Sequence, residues 1–245
     1  MLDRYFVKNN TPKDVFTRQY KPEHAITRRR FVNESGRNLH VIFPPWHGGG
    51  QLYERLIDGL ARKGDAVLAY YFHDEILKPN TELVRASYAH MRDTISAELT
   101  HTVEKRSYAK VRLIGMSIGN TVLATTTSKF PAFDSAVLVC TASSLARSMW
   151  DGTRTQHVRA GIEQSGQDLA YVENAWHDAA PATHIGALAG KDVRILVSNR
   201  DDIIPTRYQM EFVQAAQEAG VNPNVQTTRV GHYAAIGGFC LNGKV

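Results

Sequence analysis

Short apolar runs alternate along the chain with longer segments in which apolar residues recur every three or four positions. A continuous apolar run of five to eight residues is typical of a strand buried on both faces, and the longer period is typical of a helix. One such helix is predicted to start at Asn80 or Thr81 and to carry a long apolar stripe. Its members are Val84, Tyr88, Met91, Ile95, Leu99 and Val103. The alternation predicts an α/β fold with a mostly parallel central sheet and helices on both faces.

The remaining elements follow from the same two periods and from turn residues. The residues at 25–32 and 38–43 are predicted to form a β-hairpin across the turn formers at 33–36. Further strands are predicted at 65–72, 110–114, 135–140, 193–197 and 224–230, and further helices at 51–63, 118–128 and 207–219.

The segment from 143 to 190 is less regular, and two or three short helices are predicted there. Its length suits a small lid over the sheet, within a single domain that spans residues 1–245. Several of its apolar residues either line a pocket or pack the lid on the sheet, and packing is the simpler interpretation. They are Leu145, Met149, Trp150, Ile162, Leu169, Tyr171 and Trp176.

Composition excludes several classes of protein. The chain has 245 residues, 43% of them apolar and 22% charged, which is too apolar for a disordered chain. Two cysteines, Cys140 and Cys240, cannot build a disulfide-rich scaffold or a four-thiolate zinc site, and both are interpreted as packing or terminal residues. The apolar runs are far shorter than the roughly 20 residues of a membrane-spanning helix. The first ten residues lack the apolar core of a secretory signal, so a cytoplasmic location without a membrane partner is expected.

The net charge is +5, and part of the excess lies in the first thirty residues. The basic residues there are Lys8, Lys13, Arg18, Lys21, Arg28, Arg29 and Arg30. A basic arm can attract anionic partners, but a solvated segment is the simpler interpretation. No nucleic-acid-binding motif accompanies these residues, so no nucleic-acid partner is expected.

The clearest candidate for chemistry is the pattern G-x-S-x-G, formed by Gly115, Ser117 and Gly119. The pentapeptide alone is a weak signal, but here a buried strand leads into it and a helix follows. A serine on such a sharp turn projects its hydroxyl above the sheet, and the helix N-terminus offers N–H groups to an oxyanion. The alternative is that the two glycines serve only close packing and the serine caps the helix.

A nucleophilic serine needs a base and a carboxylate that orients the base. Asp201 and Asp202 follow the penultimate predicted strand, and His232 follows the last. These side chains therefore belong to the same sheet edge as Ser117, where open α/β sheets bind ligands. His40, in contrast, lies within a predicted strand, which indicates a packed or solvated side chain.

The chain order serine, aspartate, histidine at the ends of successive strands resembles the α/β-hydrolase family from about residue 25 to the C-terminus. The acid loop of that family carries its carboxylate four residues before a proline, and Asp201 stands in that relation to Pro205, which favours it over Asp202. Some members place the acid after the preceding strand, but here no carboxylate follows that strand before Asp151.

The resemblance also implies two backbone N–H groups that stabilise an oxyanion. One is the N–H of Ile118, after the serine. The second lies in the loop after the strand that ends at Phe43, where His47 and three glycines resemble the HGGG loop of lipases and esterases. Because two prolines intervene, the donor is either Trp46, which we favour, or a residue towards Gly49.

The implied activity is hydrolysis of a small or medium carboxylic ester or thioester by Ser117, His232 and Asp201, without a metal or an organic cofactor. The same residues can also transfer an acyl group to an alcohol or amine. A ligand-binding scaffold with a silent triad is a third possibility. Dehalogenase chemistry on this fold uses a carboxylate at the position of Ser117, so the serine speaks against it.

Overall fold

The computed structural model describes residues 20–48 and 50–242. Lys8, Lys13 and Arg18 of the basic N-terminal segment therefore lie outside the described residues. The strands are β1 (Ile26–Val32), β2 (Leu39–Phe43), β3 (Ala66–Phe72), β4 (Val111–Met116), β5 (Ser135–Val139), β6 (Asp192–Ser198) and β7 (Asn224–Thr228). The helices are α1 (Gly50–Arg62), α2 (Thr81–Lys105), α3 (Gly119–Thr127), α4 (Leu145–Asp151), α5 (Gln156–Gln164), α6 (Leu169–Ala175), α7 (Thr206–Glu218) and α8 (His232–Asn242).

The strands form one seven-stranded sheet in the order β1-β3-β2-β4-β5-β6-β7, in which only β1 runs antiparallel. Every described residue of β2, β3 and β5 is buried, as expected of strands covered on both faces. The α/β fold class and the mostly parallel sheet predicted from the sequence are confirmed.

Two hydrophobic layers cover the two faces of the sheet. One face carries Leu39, Val41 and Phe43 of β2 and packs against the apolar stripe of α2. The other face carries Ile42 and packs against α1 and α8. Alternate residues of one buried strand thus enter different layers, because side chains of a strand point to opposite faces.

The predicted hairpin between β1 and β2 is wrong. The turn at 33–36 forms, with the N–H of Gly36 donating to the carbonyl of Asn33, but β1 pairs with β3 and not with β2. The fully buried β2 needs parallel neighbours on both sides, while β1 is partly exposed and suits an edge. Ion pairs hold that edge from both faces: Arg29 binds Glu98 of α2, and Arg30 binds Asp58 of α1.

The segment from 143 to 190 forms α4, α5, α6 and two short 3₁₀ turns, Pro181–Leu188 and His177–Ala179. The chain between α4 and α5 lies tightly against the loop after β6. A Cβ atom added to Gly152 would stand 2.5 Å from the carbonyl oxygen of Ile203. Thr153 is hydrogen-bonded to Asp202 in the same loop through its backbone N–H, at 3.0 Å. The sequence did not predict α8, which begins at His232.

Within the described residues, no helix is both long enough and apolar enough to cross a membrane.

Candidate active site

Ser117 lies in the tight connection between β4 and α3. Its backbone has φ = 54°. This is the left-handed region, which a residue other than glycine adopts only where the surrounding structure constrains it. The N–H of Ser117 donates to the carbonyl of Val139 at 2.9 Å, which ties this turn to the end of β5. The turn therefore directs the Ser117 side chain out beyond the C-terminal edge of the sheet.

The two glycines of the G-x-S-x-G pattern are required by the backbone packing around the turn. A Cβ atom on Gly119 would stand 2.4 Å from the carbonyl oxygen of Phe43, and one on Gly115 would stand 2.5 Å from Asn120 Oδ1. The packing role considered for these glycines is therefore present. The proposed capping role of Ser117 is not, because Ile118 is the N-cap residue and makes no side-chain capping bond.

His232 is the first residue of α8, and its ring connects Ser117 to Asp201. Its Nε2 lies 2.9 Å from Ser117 Oγ, and its Nδ1 lies 2.7 Å from Asp201 Oδ2. Ser117 is 8% exposed, Asp201 7% and His232 3%. The structure thus brings the three predicted side chains into one buried chain of hydrogen bonds.

The carboxylate of Asp201 is held by donors on both of its oxygens. Oδ1 accepts the backbone N–H groups of Ile203 and Ile204, at 3.0 and 2.8 Å. Oδ2 accepts the side-chain amide of Gln209 at 2.9 Å, in addition to the ring of His232. These donors fix the position of the carboxylate behind the imidazole ring of His232.

Gln209 of α7 contacts Asp201, which the sequence did not predict. Its side chain is fully buried and bridges the end of β6 and the loop that follows. Its Oε1 accepts the N–H of Ser198 at 3.0 Å, and its Nε2 donates to the carbonyl of Ile204 and to Asp201. A buried glutamine on an otherwise apolar helix face is the signal that could have indicated it.

Asp202 and Asp151, the other carboxylates weighed from the sequence, point elsewhere. Asp202 Oδ2 lies 3.3 Å from Thr153 Oγ1. Asp151 accepts hydrogen bonds from Tyr208 and Arg207, which hold its pKa below the ordinary value. The carboxylate that reaches His232 is therefore that of Asp201.

Cys140 lies beside this network, a position that the sequence analysis missed by treating it as a packing residue. It follows β5 directly, is fully buried and has φ = 52°. Burial, then the negative charge of Asp201 and a hydrogen bond to it, raise the pKa of the Cys140 thiol well above its ordinary value. The side chain therefore stays an S–H donor to the carboxylate instead of becoming a thiolate.

Within residues 20–48 and 50–242, one cluster of three potential metal ligands occurs. It consists of Cys140, Asp201 and His232. Their nearest ligand atoms lie within 4.8 Å of one another. Both Asp201 and His232 already use these atoms in hydrogen bonds, and a metal would need the thiol deprotonated. The donor set fits a hydrogen-bonded network better than a metal centre.

Ile118 and Trp46, the predicted oxyanion donors, both line the cavity that contains Ser117 and His232. Ile118 precedes the first turn of α3, where backbone N–H groups have no partner within the helix. Trp46 begins a 3₁₀ turn after β2, and its indole N–H donates to the carbonyl of Asp74 at 2.8 Å. The alternative donor at Gly49 lies outside the described residues.

The cavity above Ser117 has a volume of about 700 Å³, which is the size of sites for small organic ligands. Its walls come from the loop after β2, the segment after β3 and the start of the 143–190 segment. Leu145 and Met149 are the two members of the predicted apolar lid set that line it. Ile162 and Trp176 instead pack in the core, and Tyr171 is exposed.

The sequence matches no protein-family model, and no curated protein matches it by sequence. The fold, however, matches solved structures closely. An esterase of Pyrococcus furiosus superposes with a TM-score of 0.62 at 14% identity, over 96% of this chain and 91% of that one. A cold-adapted esterase from an Arctic intertidal metagenomic library gives a TM-score of 0.58 at 12% identity, over 85% and 80% of the two chains. Both are α/β-hydrolases. This chain has the α/β-hydrolase fold.

Longer enzymes share this α/β-hydrolase fold over part of their length. The acylaminoacyl peptidase of Pyrococcus horikoshii gives a TM-score of 0.62 at 11% identity, over 96% of this chain and 40% of its own. A puromycin-hydrolyzing peptidase of Mycobacterium tuberculosis gives 0.58 at 14% identity, over 84% and 32%. The chain thus spans well under half the length of these two peptidases. The predicted resemblance in fold is confirmed.

Proposed function

We propose that this chain is a serine hydrolase that cleaves carboxylic esters or thioesters through an acyl-enzyme intermediate. The observation that carries the proposal is the buried chain from Ser117 Oγ through His232 to Asp201, at 2.9 and 2.7 Å. The hydrolases that share the fold at low sequence identity support a hydrolytic activity of this general class.

In the proposed mechanism, His232 Nε2 takes the proton of Ser117 as Oγ attacks the carbonyl carbon. Asp201 holds the ring in the tautomer that presents an unprotonated Nε2, and it stabilises the positive charge that forms. The imidazolium then donates its proton to the leaving group. Water repeats the sequence on the acyl-enzyme and regenerates the free serine.

The negative charge that develops on the carbonyl oxygen would be bound by the backbone N–H groups of Trp46 and Ile118. The close approach of Gly119 to the carbonyls of Phe43 and Pro44 supports this pairing, because it brings the end of β2 against the start of α3. Loss of one such donor typically raises the barrier by about 3 kcal/mol.

The cavity supports small or medium substrates. Its size and the short lid helices favour an acyl group of modest length over a long lipid chain. Turnover of p-nitrophenyl esters of graded length is expected to peak at short or medium chains. A steep rise in turnover beyond about twelve carbons would contradict this assignment.

The direct test of the proposal is labelling with a fluorophosphonate, which reacts with an activated serine. Wild-type protein is expected to be labelled and to hydrolyse p-nitrophenyl acetate or butyrate, and Ser117→Ala to do neither. Ser148→Ala is the matched control, since Ser148 also lines the cavity but donates to the carbonyl of Leu145. Absence of labelling in folded wild-type protein, or labelling that survives Ser117→Ala, would refute the proposal.

A further inference from the structure

The charged residues that line the cavity are paired on one wall. There, in the segment after β3, Asp74 Oδ1 lies 2.9 Å from His47 Nδ1, and Glu75 forms an ion pair with Lys78. The charge of Glu75 is thus offset by Lys78, while Asp74 has a polar partner in His47. Each acidic group of this segment therefore already has a partner before any ligand enters.

Arg154, on the connection between α4 and α5, also lines the cavity. In the part of the chain that the structure describes, the Arg154 guanidinium makes no ion pair and no hydrogen bond. The guanidinium carbon of Arg154 lies 5.8 Å from the centre of the Tyr233 ring. The nearby Arg159, in contrast, is neutralised by Glu163 at 2.9 Å.

The contact with Tyr233 places the Arg154 guanidinium on the His232 side of the cavity. The ring centre of Tyr233 lies 5.6 Å from that of His232, and both rings line the cavity. In the mechanism proposed above, His232 gives its proton to the leaving group, so the leaving portion of the substrate lies on the His232 side. From His232 that side of the cavity continues to Tyr233 and Arg154.

We propose that Arg154 binds a carboxylate on the leaving-group portion of the substrate. The inference rests on the proposed hydrolase function and adds a substrate class to it: esters whose alcohol, phenol or thiol part is anionic. A guanidinium suits this task because its planar fork can give two parallel N–H bonds to one carboxylate. The cation–π contact with Tyr233 restrains the guanidinium without using its N–H donors.

Three aryl esters test the inference. The first, 4-acetoxybenzoate, carries a carboxylate on its leaving group; the second, methyl 4-acetoxybenzoate, is its neutral analogue. The third, the monophenyl ester of adipic acid, carries the carboxylate on its acyl part. Each is assayed with wild type, Arg154→Gln, Arg154→Glu and the control Arg159→Gln, at one low ionic strength.

The quantity to compare is kcat/KM for 4-acetoxybenzoate divided by that for its methyl ester, which cancels effects common to both. Arg154→Gln is expected to lower this ratio about 5- to 10-fold, as loss of one partly exposed charged pair would. The loss should lie mainly in KM, because the contact is made before and during the reaction. Arg154→Glu should lower the ratio further, and Arg159→Gln should leave it unchanged.

Two results would overturn the inference: an equal change for the charged and the neutral ester, or a change confined to the adipate. Failure of the proposed function is a separate outcome, seen as turnover that survives Ser117→Ala. Calorimetric titration of Ser117→Ala with 4-acetoxybenzoate supplies a readout that needs no turnover. Adding Arg154→Gln to that background should weaken binding by the same factor, and unchanged binding would contradict the assignment.

Discussion

A buried histidine lies beside an aspartate at each end of the parallel strands, at their C-terminal ends and at their N-terminal ends. Only one of these two pairs also contacts a serine. At the C-terminal edge, His232 lies 2.7 Å from Asp201 and reaches Ser117 with its other nitrogen. At the N-terminal edge, His40 Nε2 lies 3.1 Å from Asp65 Oδ2, and its Nδ1 has no hydrogen-bond partner among the described residues.

The difference lies in what surrounds the pair. Asp201 has donors on both oxygens, and a cavity opens above Ser117. Burial lowers the pKa of His40, and the positive charges of Arg112 and Lys63 act in the same direction, against the effect of Asp65. A histidine–aspartate pair alone therefore indicates packing; a third group and an open cavity are what indicate catalysis.

The largest expected effect comes from removing the proposed nucleophile, Ser117. Ser117→Ala should lower kcat for ester hydrolysis by about 10⁴-fold or more, because no other group at the site can form the acyl-enzyme. Stopped assays with p-nitrophenyl butyrate would measure it, with circular dichroism as the check on folding. Residual activity near wild type would show that turnover occurs elsewhere.

The matched substitutions Asp201→Asn and Asp65→Asn compare the two edges directly. Asp201→Asn should lower kcat by about 10³- to 10⁴-fold, since the amide favours the wrong tautomer of His232. Asp65→Asn should leave kcat within about twofold, because its histidine faces no substrate, and should lower the free energy of unfolding by about 1 kcal/mol. Comparable losses of kcat in the two variants would refute the distinction drawn between the edges.

Gln209→Leu tests whether the carboxylate must be positioned as well as present. Losing the buried amide removes one charged hydrogen bond to Asp201, and kcat should fall about 10- to 100-fold with little change in KM. Thermal unfolding measured in parallel separates this effect from loss of stability. A fall in stability with unchanged kcat would assign Gln209 a purely structural role.

The smallest effect concerns His40 and the pH dependence of stability. Burial holds its pKa below the ordinary value of 6.5 in the folded protein, so above that pH the ring is neutral in both the folded and the unfolded chain. As the pH falls through 6.5, the unfolded chain takes up a proton that the folded protein resists, and stability is lost. His40→Gln cannot be protonated and should flatten this part of the stability curve. Urea unfolding at pH 7.5 and 5.5 would measure it, and an unchanged slope would contradict the assignment.

Much of the fold and of the candidate site could be predicted from the sequence, because parallel strands are marked by continuous apolar runs and their ends by polar residues. Ser117 and Asp201 each follow such a run, whereas His232 follows the short and mostly polar β7. The position of β1 could not be predicted, since a turn at 33–36 is equally compatible with a hairpin and with a strand that skips one neighbour.

Cys140 and Gln209 show why the surroundings of Asp201 were harder to predict. Each touches Asp201 through a contact that depends on how β5, β6 and α7 pack together, which no local pattern encodes. Their burial could be guessed from the sequence, but not the partner of each polar group. The structure assigns both to the same carboxylate.

Adjacent residues of the loop after β6 have different partners: Asp201 binds His232, while Asp202 binds Thr153 of the segment from 143 to 190. The proposed triad and the segment from 143 to 190 thus meet at one short stretch of backbone. Replacing that segment with a foreign one should displace Asp201 from His232 unless residues 201 and 202 are transferred with it. Substitutions that alter the substrate range are therefore expected to occur in pairs, one in the segment from 143 to 190 and one in the loop after β6.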